Sequence, residues 1–216
     1  MKKTLATSLL LAVTLVPTLQ GCIPLVAAGA TQATLSAVDR RSLGTQTDDE
    51  TIEWKAAGNV STKAGEQSHT NFTSYNRKVL ITGEVPSEAI KAEVARLVAA
   101  IPQVKGVYDE LAIAPASSLS TRSQDSYITT KVKARLVDSG RVSAAHVKVV
   151  TEAGVVYLLG LVTQREADAA IQVARTTTDV KKVVNLFEII SDTEAKALEV
   201  KIERQPAKQD SVTSGG

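Results

Sequence analysis

One internal correspondence limits the fold of this chain more than anything else in it: a series of residues returns after 76 or 77 positions. Ile52 is answered by Ile128, His69 by His146, Gly83 by Gly160, Val85 by Val162 and Val104 by Val180, in that order. Chance could supply one such pair but not the ordered series, so the chain carries one supersecondary unit written twice.

The hydrophobic pattern within each copy spells the unit. The first copy opens with a helix from about Asp49 to Lys63, carrying Ile52, Ala56 and Val60. Alternating segments follow, His69 to Ser74 and Val79 to Val85, around the turn Tyr75–Lys78. Pro86-Ser87 starts a second helix with Ile90, Val94, Leu97, Val98 and Ile101 on one face, and Val104 to Ile113 reads as a closing strand. The second copy runs as a helix over Asp125–Val137, strands over His146–Val150 and Val155–Val162, a helix from Thr163 to about Thr176, and a strand over Val180–Ile190. Thr163 with Glu166 three positions on is a capping box. The expected class is α+β: two tandem αββαβ domains, each a three-stranded mixed sheet covered by two helices. The boundaries are 49–114 and 124–191, with a linker at 115–123 and a polar tail at 192–216. That tail is expected to be disordered, apart from a short helix over Glu194–Lys201.

The N-terminus speaks about location. Lys2 and Lys3 precede an apolar run from Leu5 to Val16, and Leu19-Gln20-Gly21-Cys22 follows. A basic start, a short apolar stretch and small residues at the cut describe a secretory signal over residues 1–21. The run is too short for a membrane span, which needs about 20 apolar residues. The last four of those residues resemble the lipobox of bacterial lipoproteins, which implies diacylation of the Cys22 thiol and cleavage just before it. Cys22 is the sole cysteine, so no intramolecular disulfide competes for it. Residues 22–48 would then be a lipid-anchored linker. With Ile23 after the cysteine rather than aspartate, lipoprotein sorting as known for such proteins points to the outer membrane, facing the periplasm. Loss of Lys2 and Lys3 leaves 23 basic against 23 acidic residues, a neutral balance that argues against nucleic acid as a partner.

The repeated unit resembles the BON family of small envelope modules with this αββαβ order. Gly83 in "ITGEV" and Gly160 in "LLGLV" match the family's central glycine. Val104-Lys105-Gly106-Val107 and Val180 to Asn185 match its closing "V-x-x-V-x-N", with Asp109 standing in the first unit where asparagine is usual. Two such units behind a lipobox, with "DRRSLGTQ" (Asp39–Gln46), "YITTKVKARL" (Tyr127–Leu136) and "GLVTQREA" (Gly160–Ala167), resemble the dual-BON outer-membrane lipoproteins of proteobacteria. That resemblance implies support of envelope integrity and a second domain that engages anionic phospholipid of the phosphatidylglycerol kind.

No catalytic pattern stands out. There is no Gly-x-Ser-x-Gly elbow, no phosphate-binding glycine loop and no His/Cys spacing for a metal, so neither an enzyme nor a cofactor is expected. His69 and His146, at matching positions, read as structural. Asp48-Asp49-Glu50 reads as helix-end chemistry rather than a calcium site. The expected binding surface is the helix that opens the second unit, with Tyr127, Lys131 and Arg135 as a stripe, Lys133 beside it, and Ile128 and Val132 in the same segment. An amphipathic aromatic among long basic chains suits a membrane interface. Ile128, Val132 and Leu136 also form the helix's own core stripe. Glu53, Trp54 and Lys55 make the first unit's opening helix more mixed in charge, so no lipid role is expected there, and Trp54 is expected in a core or a domain interface. The competing expectation is an adaptor for an envelope assembly complex or a cell-wall hydrolase regulator. A chaperone-like stress protein is a third, against which the lipobox counts.

Overall fold

The computed structural model describes residues 39–64 and 68–203, with the side chains of 62–64 and 201–203 set aside. The expected signal segment 1–21, Cys22, most of the expected linker 22–48 and the end of the tail lie outside the described residues. Helix α1 (Leu43–Ala64) leads into β1 (His69–Tyr75), β2 (Lys78–Val85), α2 (Glu88–Ala99), β3 (Gly106–Asp109) and β4 (Ala112–Ile113). The second unit runs α3 (Leu119–Ser139), a 3-10 turn (Ala144–His146), β5 (Lys148–Glu152), β6 (Val155–Val162), α4 (Gln164–Arg175) and β7 (Lys182–Ile189), and α5 (Asp192–Glu203) closes the chain.

Each unit is a mixed sheet with two helices on one face. β1 and β5 lie antiparallel to the central strands β2 and β6, and β3/β4 and β7 lie parallel to those same strands. In the first unit the third strand is interrupted between Asp109 and Ala112, so the expected single strand Val104–Ile113 becomes two short ones. Asp109 and Asn185 nonetheless do the same work. Each side-chain oxygen accepts the backbone N–H two residues on, from Leu111 and Phe187 at 3.1 and 3.0 Å. The departure from the family's asparagine is therefore chemically conservative.

Both opening helices start about six residues earlier than the pattern predicts. Ser42 Oγ accepts from Thr45 N and Ser118 Oγ from Thr121 N, each at 3.2 Å, so two serine caps satisfy the first turns. Asp48 to Glu50 consequently lie inside α1 rather than before it. Asp49 accepts from Ser74 Oγ, Asn76 N and Arg77 N at 2.7 to 2.9 Å. Asn76 and Arg77 form a two-residue turn with φ of 52° and 66°, a strained pair that this carboxylate holds in place. Asp125 does the same for Ala153 and Gly154, whose N–H groups reach it at 2.9 and 2.8 Å.

The central glycines have a steric cause. A Cβ on Gly83 would sit 2.0 Å from the His69 carbonyl oxygen, and one on Gly160 would sit 2.2 Å from that of His146. The repeated histidines and glycines are thus neighbours across the hairpin. His146 ends the 3-10 turn instead of starting a strand.

Inward residues alternate along the strands. Val79, Ile81 and Val85 meet Ile52, Ala56 and Val60 of α1 and Val94 and Val98 of α2. In the second unit, Val149, Val156, Leu158 and Val162 meet Ile128, Val132 and Leu136 of α3 and Ala167, Ala170 and Ala174 of α4. The opposite faces are not left to solvent. Tyr75 and Leu80 of the first sheet form one buried cluster with Tyr157 and Leu159 of the second. The two sheets therefore pack against each other on their helix-free sides, which explains central strands with apolar residues on both faces. Burial pushes the Tyr75 and Tyr157 hydroxyls up to about 12, so both stay protonated there.

Polar contacts clamp the same junction. Lys78 pairs with Glu188 at 2.9 Å, and Asn71 donates to Glu152 at 3.0 Å. Arg40, 4% exposed, donates to both Glu166 oxygens, to Glu199 and to the Leu161 carbonyl. Residue 199 lies in α5, which spans Asp192–Glu203 and buries Ala195, so the short helix expected over Glu194–Lys201 is present, longer by two residues at each end, and docked. Trp54 departs from its expected place. Its side chain is 82% exposed, because Ile52 and Ala56 take the core-facing stripe and Trp54 falls about 200° around the helix from each.

Candidate functional site

The candidate surface is the outer face of α3. Its core stripe is Asp125, Ile128, Val132 and Leu136, all buried. Ile128 and Val132 must accordingly be removed from the candidate lipid contacts: at 2% and 0% exposure they face the sheet and can touch no headgroup. On the solvent side stand Leu119, Tyr127 and Val137, exposed by 75%, 58% and 64%. Leu119 lies before the expected start of the helix at Asp125 and Val137 is its expected last residue, and both point away from the buried stripe. At about 100° and 1.5 Å per residue, Leu119 and Val137 fall on one line of the helix, about 80° around from Tyr127 and about 12 and 15 Å from it along the axis.

The basic side chains divide into two groups. Lys131 Nζ lies 4.7 Å from the Tyr127 ring centroid, a cation–π contact. The same ammonium donates to the Thr178 carbonyl at 2.8 Å and to Asp179 Oδ2 at 2.5 Å. Arg135 donates to the Val173 carbonyl and to the Thr176 and Thr177 hydroxyls, around the end of α4. That places a cation where α4 exposes its last carbonyls, a favourable placement for the helix dipole. Lys133 is exposed and projects from the other flank. Tyr127 and Lys133 therefore face solvent, Arg135 is tied to α4 while remaining exposed, and Lys131 is half-neutralised by Asp179.

His146, one of the two repeated histidines, is buried with its Nδ1 3.7 Å from Glu166. Burial alone would raise the Glu166 carboxyl, but hydrogen bonds from Arg40 and from the Thr163 N–H outweigh it and hold the group down to about 2. Its role is the capping box and the Arg40 junction.

None of the described helices is long and apolar enough to cross a membrane. The sheet order, the paired glycines and the twice-used aspartate define a tandem α+β module of one kind. The BON domain family matches residues 48–115 and 124–191, and the chain belongs to that family. It is 41% identical over 174 residues to the outer membrane lipoprotein DolP of Haemophilus influenzae, covering 80% of this chain and 90% of that protein. It is 37% identical over 155 residues to a 21 kDa hemolysin of Actinobacillus pleuropneumoniae, covering 71% of this chain and 80% of the other. The osmotically-inducible protein Y of Escherichia coli is 32% identical over 133 residues, covering 57% of this chain and 66% of that protein.

Proposed function

We propose that this chain is a non-enzymatic outer-membrane lipoprotein, held by acyl groups on Cys22, whose second domain lays the outer face of α3 on anionic phospholipid and so supports envelope integrity. The observation that carries the lipid reading is the exposure of Leu119, Tyr127 and Val137 along the outer side of α3, with Lys133 and Arg135 exposed on its flanks. Apolar side chains with a phenol enter the headgroup boundary, and the basic groups meet phosphate at about 1 kcal/mol each. With Lys131 held by Asp179, two full charges remain, a weak attraction that suffices only for a protein already tethered. The DolP name supports the membrane and the anchor.

The test uses the mature chain with Cys22→Ser and vesicles of phosphatidylcholine with or without phosphatidylglycerol. Binding that requires phosphatidylglycerol, and falls about tenfold in Tyr127→Glu, supports the reading. Equal binding to both vesicles, or none, sinks it. A protein-docking role has one observation of its own, the exposed Trp54 on α1, since tryptophan is enriched at interface centres. Site-specific crosslinking in cells separates the two: protein adducts from residue 54 with lipid adducts absent from residue 127 would favour the adaptor.

A further inference from the structure

The fold brings together a ligand set that the sequence spaces too widely to announce. His69 Nδ1 lies 3.2 Å from Glu84 Oε2 and 3.9 Å from Glu152 Oε1. The three ligand atoms all lie within 4.8 Å of one another. His69 opens β1 and Glu84 sits near the end of β2, whereas Glu152 ends β5 in the other domain. Both carboxylates are buried, their side chains 8% and 9% exposed.

Charge supplies a second and independent argument. No lysine or arginine forms an ion pair with Glu84 or Glu152 among the described residues, and the imidazole of His69 is the one basic group within 4 Å of them. Two buried carboxylates facing each other are costly unless a cation stands between them. Oε2 of Glu152 accepts from Asn71 at 3.0 Å and Oε2 of Glu84 from Ser117 N at 3.0 Å, which fixes both carboxylates from outside. Oε1 of Glu152 receives no such bond. Beside the cluster lies a cavity of about 350 Å³, lined by His69, Asn71, Glu152, Arg122 and Thr129 among others, with room for water. Arg122 lines that cavity with its Nε buried and without a hydrogen-bond partner; as a pure donor it can bond water there but cannot ligate an ion.

We propose that His69, Glu84 and Glu152 bind one zinc-class divalent cation that bridges the two BON domains. Imidazole with two carboxylates is a nitrogen–oxygen set suited to zinc, whose ligands stand about 2.0–2.2 Å from the ion. In a tetrahedral shell such atoms lie about 3.4 Å apart, so side-chain rotations of roughly an ångström close the site. The fourth position opens toward the cavity and takes water. Because the ligands come from both domains, the ion stabilises their sheet-to-sheet arrangement.

The experiment uses the full chain in detergent micelles, stripped with EDTA, exchanged into chelator-free buffer and titrated with zinc chloride by calorimetry. One saturating equivalent is expected, with a rise in unfolding temperature. His69→Gln and Glu152→Gln should each weaken binding about tenfold or more and abolish that rise. Absence of a saturable equivalent, or binding that survives both substitutions, overturns the proposal. If either variant misfolds, X-ray absorption of the zinc-loaded wild type decides. One imidazole with oxygen neighbours supports the site, and sulfur at the ion overturns it by assigning the metal to Cys22.

Discussion

Replacing Arg40 by methionine probes the junction of the two domains most directly. The guanidinium makes five hydrogen bonds of 2.7 to 3.2 Å to Glu166, Glu199 and the Leu161 carbonyl. Removing one partner of a buried ion pair costs about 3–5 kcal/mol. Here Glu199, 40% exposed, can turn to water, and Glu166 keeps its Thr163 N–H, so we expect about 2–3 kcal/mol. The pH dependence gives the argument its sign. Glu166 titrates near 2 when folded against an ordinary 4.5. A carboxyl depressed by folding contributes stability that is full above its unfolded value and is lost as pH falls toward its folded one. The window is thus between about 4.5 and 2. Taken at face value the shift is about 3 kcal/mol, and solvent at the edge of the site reduces it to about 1–2 kcal/mol. Urea unfolding followed by circular dichroism at pH 7, 5, 4 and 3 measures this. The methionine variant should show a lower midpoint with unchanged slope at pH 7, and a shallower fall in acid. A double-mutant cycle with Glu166→Gln should return a coupling of at least about 1 kcal/mol. A loss below about 0.5 kcal/mol, or an acid slope identical to wild type, would refute the reasoning.

Asp49→Ala and Asp125→Ala both orphan the N–H groups of a tight turn, and the unfolding free energy from urea titration should fall by about 3–4 and 2–3 kcal/mol respectively, because Asp49 also binds Ser74 Oγ and Arg41. Losses below about 0.5 kcal/mol in both variants would show that the turns do not depend on these carboxylates. Gly83→Ala, with φ of 114° and a carbonyl 2.0 Å from the new Cβ, should lose at least about 3 kcal/mol, read by thermal denaturation. Tyr127→Thr with Lys133→Ala installs the residues that α1 carries at the matching positions, Thr51 and Ala57. Stability should move by less than about 0.5 kcal/mol while binding to phosphatidylglycerol vesicles drops. A parallel fall in stability would mark the pair as structural.

The fold was legible because the repeat and the apolar periods agree. Strand alternation marked Val79, Ile81 and Val85, helical spacing marked Ile128, Val132 and Leu136, and all six are buried. Helix starts were missed because serine caps lie outside the apolar pattern, although Ser42 and Ser118 share the 76-residue offset and could have been found by it. Asp49 and Asp125 share it too, and their common task explains an acidic run that the sequence alone assigned to a helix end. Trp54 was misplaced because size suggested burial, whereas the register of Ile52 and Ala56 decides which way it points. Arg40 and Glu199 could not be paired from the sequence, since their contact depends on how α5 returns across the second domain.

Duplication itself separates what the fold needs from what it does not. The serine caps, the turn-holding aspartates, the central glycines and the Asp109/Asn185 contact occur in both copies, so each is part of making an αββαβ unit. Tyr127, Lys133 and Arg135 have Thr51, Ala57 and Asn59 at the corresponding positions, and α1 covers its sheet without them. A residue that one copy needs and its twin dispenses with is serving something other than the shared architecture. Arg135 has a local use at the end of α4, which accounts for it in part. Tyr127 and Lys133 make no comparable contact with the second sheet or its other helix, and their exposure costs hydrophobic burial that α3 obtains elsewhere. The asymmetry between two copies of one fold therefore concentrates the functional question on the outer face of α3.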